Sequence, residues 1–68
     1  MQNAAYFKVG DRVELVFMDD PYVDAPSGVH GTVLGVAPPP INVLDVAWDN
    51  GFSLNPCLDV DVVRRVSR

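Results

Sequence analysis

The chain has 68 residues, room for one small domain, because a chain this short buries only about 60% of the surface its unfolded form exposes; a two-domain enzyme is excluded. Hydrophobic residues make up 49% and charged residues 21%, the balance of a folded globule and not of a disordered acidic tail. The formal charge of −4 is divided unevenly: residues 1–61 set Lys8 and Arg12 against nine acids, a sum of −7, and Arg64, Arg65 and Arg68 return +3.

Residues 1–6 read as a flexible lead-in to a single domain spanning 1–68. Thirteen valines against five leucines and one isoleucine favour strands, since β-branched side chains suit a pleated surface better than a helix. Glycines and prolines divide the chain into pieces too short for an amphipathic helix. After the Gly10-Asp11 turn, a first strand is expected over residues 12–17, with Val13 and Leu15 on the core face and Glu14 and Val16 opposite. Residues 18–28 then form a long, polar, proline-bounded loop containing Asp19, Asp20, Tyr22 and Asp24; loops of that length are often functional.

A second strand is expected over residues 29–36, where Gly31 and Gly35 mark a bend or a close approach of another backbone. The run Pro38 to Pro40 lacks backbone donors and reads as a stiff, extended connector. A third strand, residues 43–48, alternates Leu44, Val46 and Trp48 with Val43, Asp45 and Ala47. Asp49-Asn50-Gly51 supplies turn residues tolerant of positive φ, so residues 52–54 are expected to return as a fourth strand. Asn55 to Leu58 suits a turn or one turn of 3₁₀ helix before a fifth strand around residues 60–66. The expected architecture is all-β, a small five-stranded SH3-like barrel with a short 3₁₀ turn before the last strand. Closure would cover the apolar edges that an open sheet of this size exposes. An OB-fold is the rival, but it needs a helix that this chain has nowhere to place.

Cys57 has no partner for an intramolecular disulfide, which fits a reducing compartment, with the cytoplasm as the expected location. Its expected role is structural. No stretch approaches the length of a membrane span.

The ordered set Gly10-Asp11-Arg12-Val13-Glu14-Leu15-Val16, Met18-Asp19-Asp20-Pro21-Tyr22, Gly31-Thr32-Val33 and Trp48-Asp49-Asn50-Gly51, with Ser53-Leu54 and Asp61, resembles the bacterial and phage family called domain of unknown function 4314. The resemblance spans nearly the whole chain. It departs at Val29-His30 and at Pro38 to Pro40, where a short turn is expected. It implies a barrel and a setting on phages or other mobile elements, without an activity. A weaker similarity, Gly28-x-x-Gly31-x-Val33, is to KOW-type modules of nucleic-acid machines, and a third is to the SH3-like part of nitrile hydratase β-subunits.

The chemistry-bearing residues point to binding and not to catalysis. Asp19, Asp20 and Asp24 fit no EF-hand spacing, and a lone histidine, His30, makes no metal site; no cofactor is expected. Trp48, Tyr22, Phe17 and Phe52 are the aromatics able to build a groove of the kind that holds extended peptides. Trp48 reads equally well as core, because it shares a face with Leu44 and Val46; Tyr22 and Phe52 are the better surface candidates. The expected contact face is therefore Asp19, Asp20, Tyr22 and Asp24 of the long loop together with Asp49, Asn50 and Phe52, on a non-enzymatic protein-interaction module whose acids steer a basic partner. Direct nucleic-acid binding is disfavoured, since an acidic body repels phosphate. The three late arginines serve first to offset that charge. The alternative function is a KOW-like component of a nucleic-acid machine, or an acidic phage inhibitor seated in the DNA-binding groove of a host protein.

Overall fold

Alternation in the valine-rich segments sets the two faces of one antiparallel sheet. The computed structural model describes residues 1–19 and 27–66. Its strands are β1 (Arg12–Phe17), β2 (His30–Ala37), β3 (Val43–Trp48) and β4 (Val62–Arg65), in the order β3-β2-β1-β4. Val13 and Leu15 of β1, Val33 of β2, Leu44, Val46 and Trp48 of β3 and Val63 of β4 point inward and are buried. Period-two alternation placed all of these on one face. Leu58, Phe7 and Ala4 complete the core from outside the sheet.

Gly31 marks a close approach. It stands opposite Trp48 in the β2–β3 register, and a Cβ there would lie 2.7 Å from Val46 Cγ1 and 2.8 Å from both the Ala47 carbonyl oxygen and Trp48 Cε3. Only a residue without a side chain fits between the strands at that point. The expected bend near Gly35 is a register shift between Val33 and Gly35, and it turns Leu34 out to solvent, 54% exposed.

Four expectations are corrected. Residues 51–56 carry no strand, so the described residues hold four strands and not five. The Trp48 indole N–H donates to the Leu54 carbonyl at 2.9 Å and the Asn55 side chain takes the Val46 N–H at 3.0 Å. The chain thus runs along the edge of β3 on side-chain bonds, and regular pairing is reduced to one bridge, Val43 to Cys57. Second, the 3₁₀ element is Ala4–Tyr6 at the N-terminus, whereas residues 58–60 before β4 form a turn.

Third, residues 1–6 do not trail as a flexible lead-in. Ala4 is fully buried, and Gln2 N–H donates to the Leu58 carbonyl at 3.0 Å. Fourth, the proline run is a turn and not an extended connector. It reverses the chain between Ala37 and Val43, which pair in register, and it contains a cis Pro39-Pro40 bond. Prolines lack donors but keep acceptors, and the Pro38 carbonyl accepts from Asn42 N–H at 3.2 Å.

Asn42 ends that turn with φ of 60° and is 1% exposed. Asparagine tolerates the left-handed region better than most residues, and its buried amide is fully used here. Oδ1 accepts from Ala4 N–H at 2.7 Å, and Nδ2 donates to the Gln2 carbonyl and to Asp59 Oδ1, each at 2.8 Å. One side chain joins the N-terminal segment, the β2–β3 turn and the turn before β4.

Candidate functional site

The charged side chains lie on the outer face of the sheet, which alternation leaves to water, and at the rim of the inner face, where Arg65 stands opposite Val13. Arg12 reaches across to the turn after β3, donating from Nη1 to Asp49 Oδ1 and to Thr32 Oγ1, each at 2.9 Å, and from Nη2 to Asp49 Oδ2. Arg64 of β4 pairs through Nε with Glu14, its partner in register. Arg65 pairs with Asp11 at 3.1 Å, also bonds the Tyr6 carbonyl, and sets its guanidinium 5.2 Å from the centre of the Phe7 ring. Of the four described Lys and Arg side chains, three are therefore ion-paired within the molecule. The Arg12 side chain, by hydrogen bond and charge, holds the Asp49 carboxyl below its ordinary range. The Lys8 N–H, with help from Arg65, does the same for Asp11.

The strand register gathers much of the predicted face at one end of the sheet. β1 ends, and β2 and β4 begin, where β3 passes into the Asp49–Gly51 turn: Phe17 lies opposite Val62, Gly31 lies opposite Trp48 and Asp49 N–H donates to the His30 carbonyl. Asp19 is exposed at this end, its backbone N–H held by Asp61 Oδ1 at 2.8 Å, while Asp61 Oδ2 accepts from Cys57 N–H. Asp20, Tyr22 and Asp24 lie outside the described residues. Asp49 and Asn50 are exposed, but both have structural roles: Asp49 binds Arg12, and Asn50 Oδ1 accepts from Phe52 N–H at 3.0 Å.

Two aromatics pack inward. Phe52 is half-buried and packs against the core, its ring centre 6.4 Å from that of Trp48 and tilted by 53°. It is a weak surface candidate, because the turn that should have launched a strand folds it back over Trp48. Trp48 itself is 5% exposed and belongs to the core. Among the described residues, the exposed aromatic at this end is Phe17.

A feature that alternation missed places it there. The β1–β4 register shifts between Leu15 and Phe17, so that Val16 and Phe17 together stand against Val62. A bulge sets two residues of one strand against one of the other and redirects a side chain. Val16, Phe17 and Val62 are 44%, 52% and 38% exposed, an apolar cluster beside Asp19. No turn or breaker residue marks this bulge in the sequence; only the pairing with β4 shows it. Among the described residues, no three His, Cys, Asp or Glu side chains are grouped to hold a metal ion.

The model of the family described as "Domain of unknown function (DUF4314)" matches residues 2–66, and the chain belongs to that family. Comparisons with curated proteins and with solved structures give no match.

Proposed function

We propose that this family member is a small non-enzymatic module, SH3-like in fold, that binds a protein through the end of the sheet carrying the β1–β2 connection. The observation that carries this reading is the bulge that turns Val16 and Phe17 out together beside Val62 and Asp19. A compact apolar cluster bordered by acids suits a partner surface that is apolar at its centre and basic at its rim. Asp20, Tyr22 and Asp24 of the adjoining loop extend the same chemistry in sequence. The described carboxylates that sit beside arginines, Asp11, Glu14 and Asp49, serve ion pairs, which supports a binding role over acid-base work.

The SH3-like reading draws support from the path of residues 55–61. Leu44 N–H bonds the Pro56 carbonyl at one edge of the sheet, and the same segment then leads into β4 at the other edge. A chain that links both edges curls the sheet toward closure.

The test is affinity capture from the source cell followed by titration of the captured protein. Phe17→Ser combined with Asp20→Asn is expected to weaken binding at least tenfold while leaving the melting temperature within a few degrees; undiminished binding rejects the face. A second reading is favoured by the internal pairing of the arginines, which leaves the surplus charge acidic: the module occupies a nucleic-acid-binding groove of its partner. In that case DNA competes with the module for the captured protein, and the competition weakens as salt rises.

A further inference from the structure

The edge of β4 away from β1 is closed by a side chain and not by a strand. The Gln2 amide donates from Nε2 to the Val63 carbonyl at 2.6 Å, and its Oε1 accepts from Val63 N–H at 2.9 Å, the pair of bonds a neighbouring strand would make. Backbone groups alternate direction along an antiparallel strand. Val66 N–H bonds Arg12 of β1 while the backbone N–H and C=O of Val63 point away from β1, so the N–H and C=O of Arg65 point away from β1 as well. Among the described residues neither is taken. Beside this edge runs an open groove of about 540 Å³, lined by Met1, Tyr6, Phe7 and Val63 and flanked by Arg64 and Arg65.

We propose that this edge is a docking site for an extended acidic segment of a partner protein, which adds as a strand to β4 and displaces the Gln2 side chain. Charge selects the occupant. Antiparallel addition of a second copy of β4, in the register that pairs Val63 with Arg65, would set Arg64 directly against Arg64 of the other copy, and like charges facing one another across strands are destabilising. A segment alternating carboxylates with apolar residues meets the opposite situation. Arg64 is 66% exposed in its side chain and engages Glu14 through Nε; a guanidinium carries five N–H donors, so its terminal nitrogens remain for a second carboxylate. The apolar residues of the segment lie over Met1 and Phe7. Main-chain bonds to Val63 and Arg65 supply affinity, as in other strand additions. This surface is separate from the Phe17 end of the sheet and does not depend on the function proposed for it.

The test uses the full chain with two fluorescent hexapeptides, alternating Glu-Val and alternating Lys-Val, at low salt. Fluorescence anisotropy is expected to show binding of the Glu-Val peptide alone, tightened at least fivefold by Gln2→Ala, which frees the edge, and weakened at least fivefold by Arg64→Gln. Amide resonances of Val63 and Arg65 shift on binding. The proposal is overturned if neither peptide binds, if the Lys-Val peptide binds as well, or if a folded Gln2→Ala variant binds no more tightly. Should Gln2→Ala not fold, the wild-type resonances decide, and shifts confined to Phe17 and Asp19 overturn the proposal.

Discussion

The Gln2 side chain pairs with both the N–H and the C=O of Val63, 61 residues away in the chain, through bonds of 2.9 and 2.6 Å. At the opposite edge of the sheet Asn55 Oδ1 takes the Val46 N–H at 3.0 Å. An unpaired strand edge is a template for aggregation, and here a side-chain amide, which carries the same donor and acceptor as a backbone peptide, stands at each edge.

Gln2→Ala should therefore cost more than a surface substitution. Two part-buried hydrogen bonds are lost, each with a net value of about 1 kcal/mol; for a domain of this size each kcal/mol lowers Tm by about 4–8 °C. Thermal unfolding checks the size of the loss, and hydrogen exchange at Val63 should quicken more than exchange at Val33. A variant that melts like the wild type would show that the clamp contributes nothing to stability.

Asn42 is the most sensitive polar position. Asn42→Ala strips partners from Ala4 N–H, the Gln2 carbonyl and Asp59, and at a φ of 60° alanine lacks the tolerance for the left-handed region that asparagine has, so a loss of about 3 kcal/mol or more is expected. Asn42→Gly relieves the backbone and should be the milder of the two. Chemical denaturation measures the order, and a glycine variant less stable than the alanine one would contradict this account of the turn.

Gly31→Ala should be worse than Gly10→Ala although the chemical change is the same. Gly10 has φ of 95° and open space around it, whereas a Cβ at Gly31 meets backbone and two core side chains at under 3 Å. The cost at Gly31 is that of overpacking, about 1–3 kcal/mol or more, together with distortion of the β2–β3 pairing. Equal melting temperatures for the two variants would mean that the strands yield at this point.

Acid should loosen the ion pairs. The Asp49 and Asp11 carboxyls are held below their ordinary value of 3.8, chiefly by the Arg12 side chain and the Lys8 N–H respectively. A carboxyl depressed in the folded state stabilises the fold above its unfolded pKa, and that contribution fades as the pH falls through the lower folded value. Stability should thus decline from about pH 4 downward. Arg12→Gln should move the Asp49 titration, followed by NMR, up toward 3.8. Asp49 is exposed and Asp11 half-buried, so added salt should shrink the effect, more at Asp49 than at Asp11; an Asp49 titration unmoved by Arg12→Gln would sink this assignment.

The positions of the four observed strands, the inward faces of β1 and β3 and the family could be read from local pattern, because valine alternation and glycine or proline breaks act over a few residues; the same pattern also suggested a strand over residues 52–54 that does not form. Val13, Leu15, Val33, Leu44 and Val46 are buried as their spacing requires, and the close approach at Gly31 was visible as a glycine in a strand. The candidate site was legible only in part. Asp19 and Asp49 could be placed at turns, but the outward cluster of Val16, Phe17 and Val62 depends on a register shift against a strand about 45 positions away. Long-range contacts likewise decided that Phe52 folds over Trp48, that the proline run reverses the chain, and that Gln2, Asn42 and Asn55 stand where backbone partners would otherwise be. The Phe52 contact follows from apolar packing, and the others from the need to satisfy a particular buried or edge donor or acceptor. Which side chain lies within reach of it is set by how distant segments pack, and neighbours in sequence carry no record of that.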